Sequence, residues 1–222
     1  MSSATRQRDP EATKLDILEV ATQEFAQHGF HGGRVDEIAA KTKTTKRMIY
    51  YYFGGKEQLY TAVLERAYAS IRAAEQELVV DASDPKAAIR RLAELTVDHH
   101  ESHPDFIRLV SIENVARAEH MTDATFADLN SPVLALIGEI LERGYADGIF
   151  TRQVEPLDLH LLISSFAFFR VANRFTIKAV FGRDMLDPVQ RQHYRTMLGD
   201  LVVDYLTGVD EGAAGQSRSR TT

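Results

Sequence analysis

Apolar positions in this chain recur every three or four residues almost throughout, and no alternation of apolar and polar residues lasts more than a few positions. That spacing predicts helices and essentially no sheet. Leu15, Ile17, Leu18, Ala21 and Phe25 mark a first helix over residues 10–28, with Pro10 suited to its first turn and Gly29 stopping it. Phe30-His31-Gly32-Gly33 reads as a turn, its double glycine looser than a tight helical connection requires. Val35, Ile38 and Ala39 give a short second helix one apolar face, and Ile49 and Phe53 do the same for a third. Between them, residues 41–45 hold no large apolar side chain. Thr44 or Thr45 can cap the third helix, and Gly54-Gly55 ends it. From 56 to 79 there is no breaker, and Leu59, Val63, Leu64, Ala67, Tyr68 and Ile71 predict one long helix, a rigid link between the N-terminal helices and the rest of the chain.

Proline then acts as punctuation. Asp84-Pro85, His103-Pro104, Ser131-Pro132, Glu155-Pro156 and Asp187-Pro188 each set proline just inside a new helical pattern, and glycine marks several ends. The predicted helices are 85–102, 105–120, 130–147, 156–181 and 188–206. The total is about nine helices in an all-α chain. Residues 1–9 read as a flexible arm and 209–222, rich in Gly, Ala, Ser and Arg without periodicity, as a disordered tail. Arg6 and Arg8 either reach a minor groove or phosphate from that arm or belong to a solvated terminus.

Charge changes the picture more than composition does. The net charge of −6 argues against coating nucleic acid with the whole surface. Residues 1–60 nevertheless carry nine Lys and Arg against eight Asp and Glu, whereas the remainder carries 17 against 24. Residues 41–56 hold five basic side chains (Lys41, Lys43, Lys46, Arg47, Lys56) and no acidic one, with Tyr50, Tyr51 and Tyr52 among them. An acidic body with one basic patch suits a protein that touches DNA through a small module. Two short helices with a basic, hydroxyl-rich second member are the helix-turn-helix solution to a major groove. With Ile49 and Phe53 inward, Lys46, Arg47, Tyr50 and Tyr51 fall on the outward side. Arg47 suits guanine, while Lys46, Lys56 and the Tyr52 hydroxyl suit phosphates. The blander alternative is a solvated basic face.

No cysteine is present, which removes disulfides and cysteine-based zinc sites. The N-terminus has no apolar core of a signal peptide, and no run approaches 18 apolar residues, so neither secretion nor a membrane is expected.

Val35-Asp36-Glu37-Ile38-Ala39, the run from Thr45 through Phe53, and Lys56-Glu57-Gln58-Leu59 resemble the N-terminal domain of the TetR family of bacterial transcriptional regulators. The likeness covers residues 11–60. Thr42-Lys43 stand where the family has a glycine or small residue in the turn, and Thr44 stands where it often has valine. The runs 102–109, 112–114, 168–174 and 181–184 resemble the C-terminal domain of the family's regulators of pyrimidine catabolism and their relatives. The resemblance implies a DNA-binding domain over 10–55 and a ligand-binding and dimerisation domain over 56–208. It implies a cytoplasmic homodimer that represses transcription from a pseudo-palindromic operator until a small-molecule effector releases it. It also implies DNA contact by Thr44, Thr45, Lys46, Arg47, Tyr50, Tyr51, Tyr52 and Lys56. Tyr68, Phe106, Asn114, Phe169 and Asn173 decorate helices expected to be buried and are candidates for the effector cavity, with ordinary core packing as the alternative.

The predicted 156–181 helix is apolar nearly all round, which means burial on more than one side. Together with the last helix it can build a four-helix interface between two subunits. A rival function rests on His99 and His103, four apart and able to share a metal on one helical face. Its alternative is a polar helix end where histidines meet the C-terminal dipole. No third ligand, no nucleophile–base pattern and no cofactor motif accompanies the pair, so no enzyme is expected.

Overall fold

The computed structural model describes residues 9–76, 84–121 and 123–208, without the side chains of 123–131. Among them are ten helices and no strand: α1 (Pro10–Gly32), α2 (Val35–Lys41), α3 (Lys46–Phe53), α4 (Lys56–Gln76), α5 (Pro85–Ser102), α6 (Pro104–Val115), α7 (Asp123–Ala146), α8 (Pro156–Ala172), α9 (Arg174–Phe181) and α10 (Pro188–Thr207). The all-α expectation holds. Proline opens α1, α5, α8 and α10. Asp9, Asp84 and Asp187 cap three of these by accepting from the N–H groups of Glu11, Ala87 and Val189. A carboxylate there satisfies donors the helix cannot and faces the positive end of its dipole.

Four boundaries differ from those the sequence predicts. Gly29 turns the chain (φ 69°, ψ 179°), but one more helical turn comes after it, so α1 is kinked rather than stopped. The helix predicted to reach 120 ends at Val115, where Arg117 and Ala118 adopt left-handed φ values of 59° and 57° and the Ala118 N–H donates to the Glu113 carbonyl at 2.7 Å. Pro132 lies inside α7, which begins at Asp123, because proline removes one interior hydrogen bond without ending the surrounding pattern. The predicted 156–181 helix breaks at Asn173 (φ −101°, ψ 9°) into α8 and α9, which makes ten helices instead of nine. Of the expected arm over 1–9, Asp9 belongs to α1 as its N-cap, and residues 1–8, the stretch 77–79 and the tail over 209–222 lie outside the described residues.

The helices form two compact units. The first comprises residues through Ser70 together with Pro104–Phe126, the second Ile71–His103 together with the chain from Ala127; α4 and α7 contribute to both. In the first, Ile17, Ala21 and Phe25 of α1 are fully buried with Ile38, Leu59, Tyr60, Val63 and Leu109. In the second, α5 is the central helix, packed by α10 and α8. Its Ile89, Leu92 and Val97 join Ile137, Ile163, Leu198, Val202 and Leu206 in one core. Glu94, Asp98 and Glu101 follow helical spacing on α5 and meet Arg195 and Arg191 of α10, with the Arg195–Glu94 and Arg191–Glu101 pairs both at 2.8 Å.

Candidate nucleic-acid interface

The α2–α3 pair is fastened to α1 by one carboxylate. Glu24, buried in α1, accepts the Arg34 N–H at the start of α2 (3.2 Å) and the Lys41 ammonium at its end (2.9 Å). Burial alone pushes its carboxyl up, but these two donors outweigh that and hold it below the usual range. Gly33 closes the same joint, since a Cβ there would meet the Phe25 ring at 2.5 Å. At Gly33 the double glycine is therefore a tight fit rather than a loose connection.

The turn between α2 and α3 needs no glycine. Thr42 is extended (φ −97°, ψ 165°) and buried, and its hydroxyl donates to the Ile38 carbonyl at 3.0 Å. The departure from the family pattern is thus a self-capped end of α2. Thr45, rather than Thr44, caps α3 by accepting from the Met48 N–H. Gly54 ends α3 at φ 87°, donating its N–H to the Tyr50 carbonyl at 2.8 Å.

On the outward side of α3, Lys46, Arg47, Tyr50 and Tyr51 are exposed, Tyr51 to 77%. Thr44 and Tyr52 are half-buried, and the Tyr51 and Tyr52 rings meet edge to face at 5.5 Å. Ile49 is buried and Phe53 half-buried. Lys46 is paired with Asp36 of α2 at 3.0 Å. Lys56 points its ammonium at the His31 carbonyl (3.4 Å) and over the Phe30 ring. The surface therefore carries one exposed guanidinium flanked by two ammonium groups with intramolecular partners, amid three phenols.

Behind this face lies a polar cluster that no sequence pattern predicts. Glu113 of α6 accepts the Tyr60 hydroxyl at 2.8 Å and the His120 backbone N–H at 3.2 Å, and its Oε1 lies 3.2 Å from His120 Nδ1. Burial and then the bonded carboxylate push the Tyr60 phenol up. Phe30 packs against His120 with ring centroids 4.2 Å apart and the rings tilted by 48°. The left-handed Arg117-Ala118 turn brings His120 back onto α6, a reversal that helical periodicity does not announce.

The expected effector candidates are divided between the two units. In the first, Tyr68 and Phe106 meet edge to face at 5.2 Å, and Asn114 is exposed with its amide donating to the Val110 carbonyl. In the second, Phe169 is 57% exposed, and the Asn173 amide donates to the Phe169 carbonyl at the end of α8. The His99 and His103 rings stack face to face at 4.0 Å, and His103 Nδ1 donates to the His99 carbonyl. That arrangement suits a helix end, and no group of three potential metal ligands occurs among the described residues. Two other residues, Arg72 and Glu75 of α4, form a buried ion pair at 2.6 Å. Their signal in the sequence is position: Leu64, Tyr68, Ile71 and Glu75 follow one inward stripe.

Exposed apolar side chains are concentrated late in the chain. Leu157, Leu161 and Phe169 lie on α8, Phe175, Val180 and Phe181 on α9, and Val189, Met197, Leu201 and Tyr205 on α10. No helix among the described residues is long and apolar enough to cross a membrane.

Comparison with known proteins agrees with this arrangement. Residues 17–63 match the family described as bacterial regulatory proteins, tetR family. Residues 85–202 match the tetracyclin repressor-like C-terminal domain, which takes in the later runs of the C-terminal resemblance. The chain is 32% identical to the HTH-type transcriptional repressor NicS of Pseudomonas putida over 202 residues, 90% of this chain and 95% of that one. It is 34% identical to the HTH-type transcriptional regulator RutR of Escherichia coli over 130 residues, 59% of this chain and 61% of that one. The crystal structure of SCO4942 from Streptomyces coelicolor superposes with a TM-score of 0.66 at 28% identity, covering 85% of this chain and 97% of the other.

Proposed function

Since the chain belongs to the TetR family of bacterial regulatory proteins, and so is a helix-turn-helix transcriptional regulator, we propose that it is a homodimeric, one-component repressor working in the cytoplasm. The observation that carries this is the outward face of α3, where Arg47, Tyr50 and Tyr51 project from a helix locked on its other side by Ile49 and capped by Thr45. α3 enters the major groove, Arg47 reads guanine, and Thr44, Thr45, Lys46, Tyr50, Tyr51, Tyr52 and Lys56 seat the module on bases and backbone.

Two copies are required, because a pseudo-palindromic operator presents half-sites about 34–36 Å apart per helical turn or its multiples. The apolar stripes of α8 and α10 support that dimer: both helices pack on α5 with one face and leave Leu157, Leu161, Met197 and Leu201 outward on the other. A small molecule bound in the C-terminal part favours a state whose half-site spacing no longer fits. The continuous helix α4, with residues in both units, is the path for that change. The coupling is reciprocal, so operator DNA weakens effector binding by the same factor.

Selection of bound fragments from genomic DNA, with footprinting of the recovered sites, tests the reading. A palindromic site protected by the wild type, and no longer preferred over mutant sites by Arg47→Ala, is the expected result. Binding without sequence preference overturns it.

A further inference from the structure

The second unit buries two ion pairs, Arg170 with Glu101 and Arg72 with Glu75, and the second of these lies among histidines. Arg72 and Glu75, three residues apart on α4, pair at 2.6 Å with side chains 9% and 4% exposed. His99 and His100 of α5 and His160 of α8 lie close enough for the Arg72 charge to act on each. The ion pairs between α5 and α10 use none of these groups. A buried ion pair is commonly no more stable than apolar side chains of the same volume. A cluster of this kind in the core of a regulator therefore points to a function beyond folding.

We propose that this cluster is the effector site, and that the effector is a small organic acid whose carboxylate takes the place of Glu75 on the Arg72 guanidinium. This rests on the regulator reading above. A guanidinium is a planar fork that matches a carboxylate, and Glu75 already shows that one fits there. The surrounding imidazoles add polar edges without charge. His100 Nδ1 lies 2.7 Å from the Thr96 carbonyl, which only accepts, so the ring carries its proton on Nδ1. Burial foremost brings His99 down to about 3 and His100 to about 4; burial and then Arg72 bring His160 to about 4.

The exchange carries a proton. Burial pushes the Glu75 carboxyl up to about 7 although Arg72 opposes this. Displaced from Arg72, Glu75 loses the interaction that favours its ionised form and takes up a proton. Carboxylate affinity therefore rises roughly tenfold for each unit of pH lowered toward 7 and levels off below it. Arg72 stays charged through this window, and His99, His100 and His160 stay neutral, so the dependence belongs to Glu75.

Calorimetry of the full chain with benzoate and hexanoate, and with their neutral amides, tests this at pH 6, 7 and 8 in buffers of different ionisation enthalpy. The acids bind, the amides bind at least tenfold more weakly, and uptake approaches one proton at pH 8. Arg72→Gln loses the preference for acid over amide. Glu75→Gln binds acids at pH 8 as tightly as the wild type does at pH 6, with no pH dependence, and Glu75→Asp falls between; melting curves establish that each variant is folded. Amides binding as well as acids, no acid binding at millimolar concentration, or an unchanged pH dependence in folded Glu75→Gln overturns the proposal. Operator binding of the ligand-free protein is measured alongside. Its absence overturns the regulator reading, whereas operator binding without carboxylate preference overturns only the effector site.

Discussion

Gly32 and Gly33 are adjacent and identical, yet a methyl group meets different neighbours at each. At Gly33 it lands 2.5 Å from the Phe25 ring, which is itself fully buried; at Gly32 it meets the His28 Cβ at 3.3 Å. Gly33→Ala is expected to lower stability by about 1–3 kcal/mol through overpacking, and Gly32→Ala by less than about 1 kcal/mol, as measured by chemical denaturation. The sequence shows that glycines sit here, but only the packed ring distinguishes them. Buried histidines supply a second prediction at this scale. His99, His100 and His160 have folded values of about 3, 4 and 4, below the ordinary histidine value, so the unfolded chain binds more protons in mild acid. Their contribution is complete above about pH 6.5 and is lost as pH falls toward 4. Glu75, raised to about 7, acts in the opposite sense between its unfolded value and pH 7. Three groups outweigh one, and stability is expected to drop by a few kcal/mol from pH 7 to pH 5. Denaturant titrations at the two pH values check this, and a flat profile would refute the burial assigned to the histidines.

At the scale of the element, α3 is where sequence and structure agree most closely. Thr45 and Gly54 bound it, and Ile49 turns inward, so the outward set comes from spacing alone. Arg47→Ala is expected to relax discrimination between operator and mutant sites. Lys56→Ala is expected to weaken all sequences alike and to lower the salt slope by about one per subunit. Anisotropy titrations at several salt concentrations separate the two outcomes. Helix ends are legible at Pro10, Pro85 and Gly54, though not at Gly29 or Pro132, which lie inside helices. They are not legible where tertiary packing decides. The break at Asn173 interrupts a run that stays apolar from one side to the other, and the turn at Arg117-Ala118 uses left-handed backbone without a glycine to signal it. Of the buried polar groups, Glu113 shows up only once distant helices are brought together.

For the molecule as a whole, the proposed dimer rests on the outward stripes of α8 and α10. Leu161→Glu combined with Leu201→Glu places charge on both stripes at side chains that are already about half exposed, so the fold of the subunit survives. Sedimentation is expected to show a dimer for the wild type and a monomer for the double variant, and operator affinity should fall at least a hundredfold as the second half-site is lost. A double variant that remains dimeric would move the interface elsewhere.

The Lys46–Asp36 pair has a consequence for how DNA binding responds to ions. An ammonium that leaves Asp36 for a phosphate exchanges one anion for another and strands a carboxylate beside the duplex. Lys41, held by Glu24, stays with the fold. Of the five cations in this stretch, only Lys43, Arg47 and Lys56 add fully to counterion release. The stretch should therefore contribute about −5 to the logarithmic salt slope of a dimer instead of about −9. Asp36 and Glu24 together thus make the regulator less sensitive to the ionic strength of its surroundings than its count of lysines suggests.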